Sequence, residues 1–154
     1  CILLGVDPSP RLLDIARKRG IEVVYGVAEK LPVADSSFDL ALMVTTICFL
    51  DDIESAFREV NRILMPSGSF IIGFIDKNSP VGRSYTEKRK KNVFYSLANF
   101  YSMDEVVSLL KISGFDDFFF TQTIFRDLKD IKDIEPVLPG HGMGSFVVVR
   151  AVKR

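Results

Sequence analysis

The feature that most constrains this chain is an alternation of short apolar runs with stretches of helical periodicity, the pattern of a parallel α/β sheet. Ile2–Val6 reads as a buried strand that stops at Asp7. Ser9 and Pro10 then supply an N-cap and a first-turn proline for a helix that Gly20 closes after Arg17, Lys18 and Arg19, cations placed where the helix dipole favours them. Glu22–Gly26 is the next short strand, and Phe38–Val44 is long and apolar enough for a central strand covered on both faces. Asp51 and Glu54 have capping-box spacing ahead of a helix whose Ile53, Ala56, Phe57, Val60 and Leu64 share one face. Pro66 and Gly68 end it, and Ser69–Ile75 returns as a strand. A second capping box, Ser102 with Glu105, opens a helix that ends at Gly114. Phe115–Phe125 and Ser145–Val152 read as closing strands, joined by a long charged connection from Arg126 to Gly144.

Composition narrows the function classes. A length of 154 residues with 47% hydrophobic and 26% charged side chains suits one folded domain, 1–154. Twenty basic and twenty acidic residues cancel, so no overall field draws the chain to nucleic acid or to an anionic membrane. Two cysteines and a single histidine make neither a disulfide framework nor a His-rich metal site. A cytoplasmic setting is expected, and no apolar run approaches the ~20 residues of a spanning helix.

An acid at the tip of a strand has two readings. It can be a plain turn residue, or in an open α/β sheet its two oxygens can accept both hydroxyls of a ribose bound beyond the carboxyl ends of the strands. Taken alone, Asp7 does not separate the two. Its neighbours do. The order is strand–Asp7, helix, strand, GVAEKLPVADSSFD, strand, TTICFLDD, helix, RILMPSG, strand. It resembles the class I S-adenosylmethionine-dependent methyltransferases, especially the type 11 group that includes ubiquinone-biosynthesis-type enzymes. Ser37-Phe38-Asp39 match the family's entry to its fourth strand, and Arg62, Leu64, Pro66 and Gly68 its Arg-x-Leu-x-Pro-x-Gly signature. Gly114-Phe115 and the closing strand pair are usual there too.

The resemblance implies a Rossmann-like three-layer α/β sandwich with a mostly parallel sheet and a C-terminal antiparallel pair. It also implies S-adenosylmethionine as cofactor and a small-molecule acceptor methylated by in-line displacement. By the same resemblance Asp7 holds the ribose, Ala28 and Glu29 lie along the adenine, and Val44 and Thr45 lie under the methionine part. Thr46, Cys48 and Phe49 face the reaction chamber, with Tyr85 and the nearby Tyr95, Phe100 and Tyr101 as an aromatic cover. Leu31 and Pro32 shape the loop.

Two departures stand out. Val27 occupies the place of a loop acid that bonds the adenine amino group, a loss of about 1 kcal/mol. The family's glycine-rich strand–turn–helix has no counterpart ahead of Asp7. Its strand lies between those at Ile2 and Phe38, so the chain is expected to be incomplete at its N-terminus by roughly 50 residues. A non-catalytic nucleoside-binding or interaction domain is therefore the alternative function. A nicotinamide-dependent dehydrogenase would also want a ribose acid, but the Ser-Phe-Asp and Pro-x-Gly pieces speak against it. His141, in PGHGMGS, reads as a turn residue among glycines, Lys88–Lys91 as a solvated helix face, and Cys48 as a small hydrophobe rather than a nucleophile.

Overall fold

The computed structural model describes residues 3–89 and 95–154. Cys1 and Ile2 of the expected first strand, and Lys90 and Lys91 of the basic run, lie outside the described residues.

Strand β1 (Leu4–Asp7) is followed by helix α1 (Pro10–Lys18), which starts as its sequence requires, with the Ser9 side chain accepting from Leu12 N and Pro10 in the first turn. Gly20, at φ 75°, turns the chain out of α1 into β2 (Glu22–Tyr25). β2 lies parallel to β1, with Leu4 opposite Glu22 and Asp7 opposite Tyr25. The remaining strands are β3 (Phe38–Val44), β4 (Leu64–Ile75), β5 (Phe115–Thr123), the two-residue β6 (Leu138–Pro139) and β7 (Phe146–Lys153). They form a second sheet in the order β3-β4-β7-β5-β6. β3 and β4 are parallel, whereas β7 runs antiparallel to β4 and to β5. The result is a Rossmann-like α/β sandwich with a mixed sheet and an antiparallel C-terminal pair.

The core lies between one face of this sheet and two helices, α2 (Ile53–Ile63) and α4 (Met103–Ile112). Alternation along β4 and β7 sends Phe70, Ile72, Phe74, Val147, Val149 and Ala151 inward. They meet Ala56, Phe57 and Val60 of α2 and Val106 and Leu110 of α4. Each large side chain so buried contributes about 1.5–3 kcal/mol. Phe57 meets Phe70 edge-on, with ring centroids 5.4 Å apart.

Three sequence expectations are corrected. β3 is not covered on both faces: Ala41 and Met43 pack on the core, while Leu40, Leu42 and Val44 are exposed. Among the described residues β3 pairs only with β4, and both core helices lie on the Ala41 side. The N-cap of α2 is Asp52 rather than Asp51, because Asp52 accepts from Ser55 N at 3.0 Å and Ser55 Oγ at 2.6 Å, whereas the Asp51 N–H is held by Glu29. Finally, β4 begins at Leu64, directly after α2. Ser67 takes φ 64° in an irregular stretch where the register slips between Phe38 and Leu40, and a Cβ on Gly68 would lie 2.9 Å from the Met65 carbonyl. Pro66 and Gly68 thus make a kink inside the strand rather than a loop before it. The second capping box is fully formed, with Ser102 N donating to Glu105 Oε2 at 2.7 Å. No helix among the described residues is long and apolar enough to cross a membrane.

Candidate active site

In parallel α/β sheets the chemistry collects at the carboxyl ends of the strands. At the end of β1, Asp7 is half-buried and its Oδ1 accepts the Ser9 N–H at 2.7 Å. The turn reading of this acid therefore holds for one oxygen. The other, Oδ2, has no protein partner among the described residues, so the oriented carboxylate keeps acceptor capacity to spare.

The loop after β2 is fixed by charge. Arg62 on α2 donates to the carbonyls of Leu31 (3.0 Å) and Val33 (2.8 Å), to Asp35 (2.6 Å), and through two nitrogens to Glu59 (2.8 Å each). Glu59 in turn accepts the Leu31 N–H at 2.8 Å. The Arg62 guanidinium holds the Glu59 carboxyl below the usual range, and the two carboxylates raise Arg62 above its ordinary value. The Arg of the Arg-x-Leu-x-Pro-x-Gly signature is thus a loop anchor. Glu29 turns its carboxylate to the N–H groups of Asp51 (3.0 Å) and Asp52 (3.4 Å), at the positive end of α2. Ala28 packs on the core. The backbone from Val27 to Lys30 forms the tip of the loop, closed by a bridge between those two residues.

At the end of β3 the backbone is strained. Thr45 sits at φ 53°, a left-handed conformation that costs a β-branched residue about 1–3 kcal/mol. Its N–H donates to Gly73 O at 2.8 Å, and both its hydroxyl and that of Thr46 donate to Val44 O. This turn throws the chain into a single 3-10 turn, Ile47–Phe49. Beneath it lies a cavity of about 290 Å³. Thr45, Cys48 and Phe49 line one wall, and Phe74 and Ile75 at the end of β4 line another. Tyr85, Tyr95, Phe100 and Tyr101 complete it. Tyr85 and Tyr95 stack at 4.9 Å with 20° between ring planes, and Phe100 tilts against both.

Helix α3 (Pro80–Lys88) delivers Tyr85 to this cover. Ser79 caps it, accepting from Gly82 N at 3.0 Å while donating to Asp76 O at 2.6 Å. Gly82 passes so close that a Cβ there would lie 2.0 Å from the Asp76 carbonyl. The buried Asp76 carboxylate accepts from Asn78 N at 2.8 Å and Met103 N at 3.2 Å, tying α3 to the start of α4.

Burial pushes up the Cys48 thiol and the Tyr85 and Tyr101 phenols. Tyr95 adds to the effect on Tyr85, and the carboxylate of Glu105 to that on Tyr101. Thr46 and Val44 are exposed and outside the cavity lining, and His141 lies exposed against Phe120, ring centroids 4.9 Å apart. Sequence reading missed Asp76, Gly82, Phe74 and Ile75. The run Asn78-Ser79-Pro80 carries a visible helix-start signal that would have placed α3, and with it Gly82 and Asp76.

These features fit a nucleoside cofactor: an oriented acid at β1, a rigid backbone rim after β2, and a strained turn at β3 beside a cavity. A methyltransferase-domain family model of type 11 matches residues 1–72. A Thermotoga maritima protein described as an S-adenosylmethionine-dependent methyltransferase, possible histamine N-methyltransferase, superposes with a TM-score of 0.96 at 48% identity, over 99% of this chain and 73% of that one. An uncharacterized protein of Methanocaldococcus jannaschii is 41% identical over 152 residues, 74% of its length. Demethylmenaquinone methyltransferase of Chlorobaculum parvum is 35% identical over 101 residues, 42% of its length. With a solved relative matched at nearly half identity over 99% of this chain and 73% of its own length, this chain belongs to the class I S-adenosylmethionine-dependent methyltransferases, in the type 11 group.

Proposed function

We propose that this protein transfers the methyl group of S-adenosylmethionine to a small molecule held in the aromatic cavity. The observation that carries the reading is the adjacency of that cavity to the strained Thr45 turn at the end of β3. When bound, the cofactor supplies a methyl group already activated on a sulfonium. The protein's part is then to bind, orient and exclude water, which is where positioning provides much of the rate.

Asp7 would receive the ribose hydroxyls on its carboxylate, with Oδ1 already oriented by Ser9 N. Backbone groups of Ala28 and Glu29 would line the adenine, since both side chains are turned elsewhere. Val44 and Thr45 would lie beneath the methionine part, and Cys48, Phe49 and Tyr85 would border the acceptor. A cytoplasmic setting belongs to the same proposal, supported by the absence of a cysteine framework. The descriptions of the relatives name different acceptors, demethylmenaquinone in one and histamine in another, so the acceptor must be argued from the cavity. Calorimetric titration with S-adenosylhomocysteine tests the reading. Saturable binding with one site is expected, and a folded protein that takes up no heat would overturn it.

A further inference from the structure

We propose that the cavity takes a flat, uncharged ring bearing a neutral nitrogen nucleophile, an N-heterocycle or an aromatic amine, as its methyl acceptor. The proposal rests on the methyl-transfer reading and adds the class of acceptor.

Shape comes first. A cavity of about 290 Å³ is at the low end for ligand sites, room for a small ring system rather than a long-chain lipid. Tyr85 and Tyr95 stacked at 20°, with Phe100 tilted at 44° and 48° to them, present ring faces and edges. Such a surface selects another ring by offset or edge-on contact.

Charge comes second. Among the described residues no charged side chain lines the cavity. A carboxylate or phosphate entering it would lose its water without gaining a cation from these lining residues. The charged groups that reach the Tyr101 phenol are acidic, Glu105 and Asp52, and they raise its proton affinity. An anionic acceptor would meet the same unfavourable field.

Proton chemistry comes third. The lining groups Cys48, Tyr85 and Tyr101 are all pushed towards their protonated forms by burial, and His141 sits elsewhere, against Phe120. Among the described residues no lining group is poised near neutral pH to remove a proton from an alcohol or a phenol. A neutral nitrogen needs no such help. Its lone pair forms the new N–C bond while the electron pair of the broken S–C bond stays on sulfur. The positive charge passes to nitrogen, and an amine product then sheds a proton to water. Ring faces and nearby carboxylates favour that charge.

The test uses three bicyclic probes of matched shape: isoquinoline, 2-naphthol and 2-naphthoate. Of the four tyrosines in the chain, Tyr85, Tyr95 and Tyr101 line the cavity and Tyr25 does not, so tyrosine-ring-labelled protein reports occupancy by NMR with its own control. Isoquinoline should shift the three cavity signals and leave Tyr25 unmoved, binding at least about tenfold more tightly than 2-naphthoate. Phe100→Leu should weaken isoquinoline about fivefold, and Tyr85→Phe, which keeps the ring, less than about twofold. With cofactor present, N-methylisoquinolinium should form faster than the O-methyl ether of 2-naphthol. Equal binding of 2-naphthoate, or preferential methylation of the naphthol oxygen, overturns the proposal. If S-adenosylhomocysteine does not bind while isoquinoline still moves the three tyrosines, the methyl-transfer reading fails and the ring-binding assignment stands.

Discussion

The loop after β2 and the cover over the cavity are held in different ways. Arg62, Glu59 and Glu29 pin the loop through directional, charge-assisted bonds to backbone groups. The cover rests on ring contacts among Tyr85, Tyr95 and Phe100, together with the seating of α3 on Asp76. Directional bonds fix one conformation, which suits the rim proposed for the nucleoside. Ring faces are less particular, and a side chain among them can change without disturbing the frame. On the proposed function, the cofactor side is therefore rigid and generic, and the acceptor side adaptable.

The comparison can be broken on its charged half first. Arg62→Ala removes five bonds at once and leaves Glu59 and two carbonyls without their donor. The expected cost is about 3 kcal/mol, read as a shift in the denaturant midpoint, with faster hydrogen exchange at Leu31. A loss confined to stability, with that amide still protected, would show that the loop does not depend on Arg62.

On the ring half, Gly82→Ala forces a methyl group into the Asp76 carbonyl. It should cost about 2 kcal/mol and displace α3, so that ring ligands bind poorly while S-adenosylhomocysteine affinity changes little. Equal loss of both ligands would deny that the two halves are separable.

Thr45→Gly relieves the left-handed backbone at the junction. Stability should rise by about 1 kcal/mol, while cofactor affinity falls because the turn is no longer held in one shape. A variant that is less stable than the parent would remove strain from the account.

The smallest effect is a pH dependence. Arg62 lowers the Glu59 carboxyl in the folded state, so its stabilisation is present above the unfolded carboxyl value of about 4.3 and fades as pH falls through the lower folded value. Glu59→Gln should flatten the stability profile in that acid window alone.

Much of the frame was legible in the sequence because it is written in local chemistry. Ser9-Pro10 and Gly20 bound α1, and Ser102 with Glu105 forms the reciprocal cap. Asp7 was legible as a site candidate through its place at a strand end. The structure adds that its Oδ1 serves the turn, so the turn reading holds for one oxygen and the ribose reading rests with the proposed function. What was not legible depends on contacts distant in the chain. Arg62 reads as a signature residue, yet its partners lie 27 to 31 residues away in the loop. The exposure of Leu40 and Leu42 follows from helices packing only on the Ala41 and Met43 face among the described residues, which an apolar run does not encode. The cavity brings Thr45 to Tyr101 from separate segments, and Phe74 and Ile75 look like any other strand residues until the fold assembles them.

The most direct test of the central claim is calorimetric titration of S-adenosylhomocysteine into the parent protein and its Asp7→Ala variant, with both shown to be folded. The account predicts saturable binding by the parent and a loss of at least about tenfold in the variant, the worth of one good pair of charge-assisted bonds. Equal affinities would contradict the ribose assignment, and no binding by the folded parent would contradict the cofactor site itself.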